Sequence, residues 1–244
     1  LGRTHKDPRT GRYLKPDEVM YLDVNDKEGT VIMSETGEAP TTVWEKMSKS
    51  KFNGVDPDHM IQQYGADVTR LASLFMAPPE QALEWDEAAV AGQARWCDRL
   101  RTLVHSVSRL EGGDGCDVDV QGKLDEPDSV AELREIIYEA VTAITESLET
   151  SQGLNVAIAQ LMKLSNFLSS DSANRAPNER REGVKILVKM LAPFAPHLAS
   201  ELWRVVEGNA SDDVLNLAWP NCDEYALETK AEALVVLQVQ GKKR

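Results

Sequence analysis

The stretch Glu45-Lys46-Met47-Ser48-Lys49-Ser50-Lys51 places three ammonium groups within six residues and separates them by two serines and a methionine. Lysine carries a compact charge on a long flexible stem, which suits an anion whose charge moves during a reaction. Serine hydroxyls donate hydrogen bonds without crowding a ligand. The stretch therefore predicts a loop that closes over a polyphosphate and stabilises charge on a leaving group. The alternative is a basic surface loop that binds nothing.

The order of the residues in this stretch resembles a known signature. Residues 46–50 read KMSKS, as in the signature loop of class I aminoacyl-tRNA synthetases. Trp44-Glu45 before the loop, 51–57 (KFNGVDP) and 64–71 (YGADVTRL) after it are similar to the leucyl-tRNA synthetases of the bacterial and organellar type. Further similar segments are 11–14 (GRYL), 83–86 (LEWD), 154–162 (LNVAIAQLM), 191–203 (LAPFAPHLASELW), 218–220 (AWP) and 235–244 (VVLQVQGKKR).

The resemblance implies a reaction and a role for each loop residue. Enzymes of this family activate leucine with ATP and transfer the leucyl group to tRNA(Leu). By this resemblance Lys49 would bind the β- and γ-phosphates, and Lys46 would assist or hold the loop. Ser48 and Ser50 would shape the loop, and Met47 would anchor it by packing. Mg²⁺ is expected to accompany ATP as part of the substrate, and no protein-bound metal site is predicted.

One element of the class I enzymes is missing from this sequence. Their second signature, an HxGH segment, does not occur around any of the four histidines, which are His5, His59, His105 and His197. The nucleotide-binding strands and the editing domain of the family would precede Leu1. We therefore interpret the chain as a piece of a longer enzyme and expect it to be inactive in leucine activation by itself.

Composition narrows the class of protein. With 244 residues, 42% of them hydrophobic, the chain can form a packed core. No apolar run approaches the roughly 20 residues that span a bilayer, and no signal-peptide pattern is present, so no membrane partner is predicted. The three cysteines are widely separated and form no CxxC pair, which argues against a zinc site or a disulfide framework and favours a reducing compartment.

The net charge of −13 argues at first against binding RNA. Nine acids against two basic residues in 111–135, and seven acids against one in 207–234, account for the whole deficit. The rest of the chain is balanced, so local basic faces can still meet phosphates. Arg95 and Arg99 lie one helical turn apart and form one candidate face for tRNA. Arg180, Arg181 and Lys185 form a second candidate face. The alternative for both faces is a solvated surface paired with nearby acids.

Hydrophobic periodicity predicts a mainly α protein. Short strands are expected at 21–24, 30–33 and 41–44, with a helix opened by Asp56-Pro57 and ended by Gly65. From residue 86 onward, four or five segments carry apolar residues at helical spacing, with a polar loop at 169–178 and a terminal strand without an obvious partner. Together with the resemblance, this predicts the end of a Rossmann-like catalytic domain at 1–85. An anticodon-binding-type helix bundle follows at 86–220, and a truncated C-terminal domain begins at 221–244.

Two alternatives to a leucyl enzyme remain open on the residues alone. The first is another class I synthetase for valine, isoleucine or methionine. The second is a non-catalytic RNA-binding or assembly module. The partners expected from the resemblance are tRNA(Leu), leucine and ATP, and the protein is expected to be a monomer. Trp44-Glu45 and the Arg95 and Arg99 surroundings look more like the mitochondrial branch, so the expected compartment is the mitochondrial matrix. A bacterial cytoplasm is the alternative.

Overall fold

The order of elements in the computed structural model places short strands before a series of helices. The structure describes residues 1–22, 30–108, 126–150, 153–208 and 212–221, and the backbone of 238–239 and 242–243. The strands before the helices are β1 (Gly2–Lys6), β2 (Val19–Tyr21), β3 (Val31–Met33) and β4 (Thr41–Glu45). The helices are α1 (Pro57–Tyr64), α2 (Ala66–Met76), α3 (Glu87–Ser108), α4 (Pro127–Glu149), α5 (Leu154–Leu168), α6 (Pro177–Leu191) and α7 (Pro196–Glu207). The mainly α prediction is confirmed.

The four strands form two antiparallel pairs. Strand β1 pairs with β4, with Gly2 opposite Glu45 and Lys6 opposite Thr41. Strand β2 pairs with β3, with Tyr21 opposite Val31. The strand predicted at 41–44 is confirmed. Of the strand predicted at 21–24, Tyr21 lies in β2, which begins earlier, at Val19. Residues 23–29 lie outside the described residues.

Local sequence signals set the helix boundaries. The Asp56 side chain accepts a hydrogen bond from the backbone N–H of Asp58 at 3.1 Å and caps α1, and Pro57 is its first residue. Gly65, with φ of 85°, ends α1 as predicted. The polar loop predicted to reach residue 178 ends earlier, because Pro177 opens α6; a proline is well suited to the first helical position.

The apolar stripes of the helices meet in one continuous core. Trp96 of α3 is fully buried, and its indole N–H donates to the Ser165 hydroxyl of α5 at 3.0 Å. Trp203 is also buried, as expected for a core residue. Helix α6 approaches α4 and α5 closely, since a Cβ at Gly183 would lie 2.9 Å from a Leu168 methyl and 3.0 Å from an Ile137 methyl. Leu71 brings α2 into the same core.

Helix α2 is fastened to the turn between α6 and α7. The buried Asp67 carboxylate accepts from the Leu198 backbone N–H at 2.6 Å and lies 3.0 Å from Nδ1 of His197. A carboxylate at this position suits the positive end of the α7 dipole. The Arg70 guanidinium donates to the carbonyls of Pro193 and Phe194 at 3.2 and 3.3 Å. The 64–71 and 191–203 segments, which are far apart in sequence, are therefore in direct contact.

The C-terminal end contains one small pair of strands in the described residues. Strand β5 (Gln238–Val239) pairs antiparallel with β6 (Lys242–Lys243). The terminal strand predicted to be without a partner thus has one, in the next few residues of the chain. Most of 222–244, and the acidic segment 109–125, lie outside the described residues. Within the part of the chain that is described, no helix is both long and apolar enough to cross a membrane.

Candidate phosphate-binding loop

The signature loop begins where β4 ends. Residues 46–48 leave the strand, Lys49–Lys51 form a single 3-10 turn, and Phe52 closes the turn with its backbone N–H on the Lys49 carbonyl at 3.3 Å. Strand β1 runs beside β4 and supports the start of the loop. The loop therefore projects from a two-stranded sheet, with α1 beginning at Pro57 a few residues later.

The three lysines of the loop have different surroundings. Lys46 and Lys49 are exposed, and neither forms an ion pair with any residue in the described part of the chain. The Lys51 ammonium instead lies 2.8 Å from a Glu45 carboxylate oxygen. The other oxygen of Glu45 lies 2.7 Å from the ammonium of Lys6 on β1. Lys46 and Lys49 are thus available to a ligand, and Lys51 is engaged within the protein.

Glu45 is an ionised brace between the loop and β1. Hydrogen bonds from Lys51 and Lys6 lower the pKa of Glu45 to about 2, and the bond to Glu45 raises the pKa of Lys6. The Tyr13 hydroxyl donates to Glu45 at 3.4 Å, and the Tyr13 ring lies 4.9 Å from the Lys6 ammonium. The 11–14 segment therefore contacts Glu45 and Lys6, next to the start of the loop.

The two serines are hydrogen-bonded to each other inside the loop. Ser48 Oγ lies 2.9 Å from Ser50 Oγ. The Ser48 backbone N–H donates to the side-chain oxygen of Asn53 at 2.9 Å. Met47 is half-buried. The shaping role of the serines and the anchoring role of Met47 stay predictions.

Asn53 is a site residue that the sequence interpretation did not single out. It is buried, with only 7% of its surface exposed, and its side-chain amide faces both β1 and the loop. The amide nitrogen lies 2.8 Å from the Thr4 hydroxyl, and the amide oxygen accepts from Ser48. An asparagine five residues beyond Ser48 is a common turn residue, so its position after the loop did not distinguish it.

Phe52 adopts a backbone conformation that residues other than glycine rarely adopt. Its φ is 54°, in the left-handed region, and the residue is 44% exposed. For a residue other than glycine this conformation costs about 1–2 kcal/mol. The cost persists only where surrounding contacts hold the chain in place. Here the contacts of the neighbouring Asn53 supply that restraint.

The basic residues predicted to face tRNA separate into two groups. Arg95 and Arg99 are exposed on α3, and neither forms an ion pair with a residue in the described ranges. Arg180 is instead 9% exposed, and its guanidinium donates to the Leu168 carbonyl at 2.6 Å and to the Ser106 hydroxyl at 2.9 Å. Burial lowers the pKa of Arg180. This burial and the two internal acceptors argue against the tRNA contact predicted for Arg180.

The rest of the second candidate face is also engaged within the protein. Arg181 donates to the Val206 carbonyl at 2.9 Å. The Lys185 ammonium lies 2.9 Å from Glu182 and 2.7 Å from Glu207. The structure therefore does not gather Arg180, Arg181 and Lys185 into an open basic face as the sequence predicted.

Cys97 and His5 are buried and contact other parts of the protein. Burial raises the pKa of the Cys97 thiol to about 11, which keeps it protonated and unreactive. Burial also lowers the pKa of His5, whose ring nitrogens lie 2.9 Å from the Thr42 hydroxyl and 3.0 Å from the Tyr21 hydroxyl. Among the described residues no group of three or more His, Cys, Asp or Glu side chains could hold a metal ion.

Two family descriptions match stretches of this chain. The family description "tRNA synthetases class I (I, L, M and V)" matches residues 40–86, and "Anticodon-binding domain of tRNA ligase" matches residues 131–244. The leucine–tRNA ligase of Synechococcus sp. (strain CC9311) is 44% identical over 100% of this chain, and that of Thermosynechococcus vestitus is 43% identical over 100% of it. Over its whole length this chain is similar to a segment of the leucine–tRNA ligases.

The chain spans about a quarter of these leucine–tRNA ligases, 26% and 27% of their lengths. Among solved structures it is similar to a LeuRS–tRNA–LeuAMS ternary complex from Agrobacterium radiobacter, with a TM-score of 0.61 and 27% identity. The similarity covers 73% of this chain and 22% of that one. The relatives compared are cyanobacterial, so they do not support the mitochondrial branch predicted from Trp44-Glu45 and α3.

Proposed function

We propose that this chain is the signature-loop and tRNA-docking segment of a leucine–tRNA ligase. The observation that carries the proposal is that the ammonium groups of Lys46 and Lys49 are exposed and form no ion pair with the described residues. Asn53 holds the backbone of the loop that carries them. Two ammonium groups can stabilise the negative charge that develops on a departing polyphosphate. The long lysine side chains can follow that charge while the backbone of the loop stays in place. Relatives named as leucine–tRNA ligases at 41–44% identity support leucine as the amino acid.

In the proposed reaction the carboxylate of leucine attacks the α-phosphorus of ATP and the bond to the β-phosphate oxygen breaks. Pyrophosphate leaves with the electron pair of that bond, and Lys49, assisted by Lys46, stabilises its growing negative charge. The donors of the loop are ammonium and hydroxyl groups, which fit phosphate oxygens and not a cation. Mg²⁺ would therefore arrive with ATP as part of the substrate. In the second step a ribose hydroxyl of tRNA takes the leucyl group and AMP leaves.

We assign tRNA docking to the α3 face that contains Arg95 and Arg99. Both guanidinium groups are exposed one turn apart, and a guanidinium suits the bidentate recognition of phosphate. A LeuRS bound to tRNA is among the solved structures similar to this chain. We exclude Arg180, Arg181 and Lys185 from the proposed face because their donors are engaged within the bundle.

We also propose that the parent ligase acts as a monomer. For its compartment, the cyanobacterial relatives favour a bacterial-type cytoplasm over the mitochondrial matrix.

The proposal is tested by leucine-dependent exchange of pyrophosphate into ATP. The full-length ligase that carries this segment is expected to catalyse exchange with leucine and not with valine, isoleucine or methionine. Lys49→Ala is expected to lower its rate strongly. Lys163→Ala, which removes an exposed lysine on α5, is the matched control and is expected to leave the rate unchanged. Exchange with another of these amino acids would favour a different class I enzyme, and no exchange with any of them would favour a non-catalytic module.

A further inference from the structure

We propose that Asn53 is the positioning residue of the signature loop. Its side-chain amide joins β1 to the loop and holds the backbone on both sides of Met47. Through that backbone it sets where the Lys46 and Lys49 ammonium groups lie. This inference rests on the proposed function, because it assigns Asn53 a role in leucine activation.

The contacts of the Asn53 amide converge from three segments of the chain. On the donor side, Nδ2 lies 2.8 Å from the Thr4 hydroxyl and 3.3 Å from the Gly2 carbonyl, both on β1. It also lies 3.3 Å from the Glu45 carbonyl and 3.5 Å from the Lys46 carbonyl, where β4 becomes the loop. On the acceptor side, Oδ1 receives the Ser48 N–H at 2.9 Å. An amide has two donors and one acceptor oxygen, so every one of its groups is used.

The β1 side of this contact is built for close approach. Thr4 is only 1% exposed, and its hydroxyl is the nearest acceptor of Asn53. A Cβ at Gly2 would lie 2.1 Å from the Asn53 backbone oxygen, so only glycine lets the two backbones come this near. Burial on this side also excludes water, which strengthens the hydrogen bonds of the amide.

The loop side places the restraint next to the lysines that do the chemistry. The Lys46 carbonyl and the Ser48 N–H are both held by one side chain, and Lys49 begins its turn directly after Ser48. Because the backbone is already fixed here, only the lysine side chains have to move when phosphate binds, and the loop does not have to become ordered. Preorganised charge of this kind lowers the barrier for the step in which charge develops.

The test uses variants that change the amide without changing its size. In the full-length ligase, Asn53→Asp retains the acceptor for Ser48 and removes both donors. We expect kcat for leucine-dependent exchange to fall by about 10–100-fold, while KM for leucine changes by less than about threefold. Thr4→Val, which removes only the hydroxyl, should lower kcat in the same way to a smaller extent, and Thr4→Ser should restore it. Asn166→Asp, at an exposed asparagine of α5, is the matched control and should leave kcat unchanged.

A double-variant cycle separates positioning from a general loss of structure. If Asn53 acts through the lysine loop, adding Asn53→Asp to Lys49→Ala should cost much less than Asn53→Asp costs alone. Independent, multiplicative losses would overturn the inference, as would an Asn53→Asp enzyme with normal kcat. A normal rate for Lys49→Ala would instead overturn the proposed function of the loop, so the two failures are distinguishable.

Hydrogen exchange on the 244-residue chain gives a readout that does not need the reaction. The Ser48 amide should exchange slowly in the parent chain and at least about tenfold faster in Asn53→Ala, because its acceptor has been removed. Amides of the α3–α7 core should exchange at unchanged rates. Unchanged protection of Ser48 would contradict the inference directly.

Discussion

Two basic segments, 46–51 and 180–189, look alike in sequence and differ in the folded protein. The first contains three lysines and the second contains two arginines and two lysines. In the first segment Lys46 and Lys49 are exposed and unpaired among the described residues. In the second, Arg180 is buried on backbone and hydroxyl acceptors, and Lys185 lies between two glutamates. The number of cations in a segment thus does not tell how many are available to a ligand.

The reason for the difference is the kind of element that carries each segment. Helix α6 packs against its neighbours along much of its length, so its long basic side chains reach carbonyls and carboxylates of adjacent helices. Even Lys189 is directed inward and lies 5.6 Å from the centre of the Trp203 ring. The signature loop projects beyond a two-stranded sheet. Among the described acids only Glu45 forms an ion pair with a lysine of the loop, and that lysine is Lys51.

The largest effect is expected within the loop itself. In the full-length ligase Lys49→Ala should lower the rate of leucyl-adenylate formation by about 10²–10³-fold, since it removes a donor aimed at developing charge. Lys51→Ala should have a much smaller effect, because Lys51 braces Glu45. Single-turnover kinetics with saturating leucine and ATP would measure both. Equal losses for the two variants would contradict the division of the lysines into free and engaged ones.

The next effect is on stability and lies in the second segment. Arg180→Ala should lower the free energy of unfolding of the chain by about 1–3 kcal/mol, because it leaves the buried Leu168 carbonyl without its donor. Urea denaturation would measure the change. Lys49→Ala is the comparison variant and should unfold at the same urea concentration as the parent chain. If the Arg180→Ala protein were as stable as the parent and bound tRNA more weakly, Arg180 would belong to the tRNA-docking face.

A smaller effect is expected on tRNA binding. Replacing Arg95 and Arg99 together with alanine should weaken the affinity of the full-length ligase for tRNA several-fold. It should also reduce the slope of log K against log salt by about one for each phosphate that these arginines no longer neutralise. Lys185→Ala should change neither quantity, because its ammonium is paired with glutamates. Filter binding across a range of KCl concentrations would measure both. The opposite ranking of the variants would place the docking face on α6.

The smallest effect concerns acid. The pKa of Glu45 is lowered to about 2 by Lys51 and Lys6, whereas the ordinary value is 4.5. Its contribution to stability is therefore complete above about pH 4.5 and is lost as the pH falls towards 2. Glu45→Gln should lack this part of the acid dependence and should otherwise unfold like the parent. The brace is partly exposed, so the difference is small, and unfolding curves at pH 7 and pH 3 would detect it.

Several features of the fold and loop were readable from particular residues. Asp56, Pro57 and Gly65 predicted the ends of α1, because a cap, a first-turn proline and a positive-φ glycine act locally. The apolar spacing of Trp96 and its neighbours predicted a buried face of α3 for the same reason. Asn53 was missed because its partners on β1 are about fifty residues away, and nothing in its neighbourhood indicates that pairing. Arg180 was misplaced because its burial depends on the packing of three helices.

By itself, the amino-acid sequence determined the helical class, the two ends of α1 and the presence of a lysine-rich loop that resembles a synthetase signature. These features depend on residues that are neighbours along the chain or lie within one or two helical turns. Tertiary structure alone decided which cations are free, which asparagine holds the loop, and that Asp67 and Arg70 fasten α2 to the turn before α7. Availability and positioning depend on groups brought together from distant parts of the chain, and only folding creates those contacts.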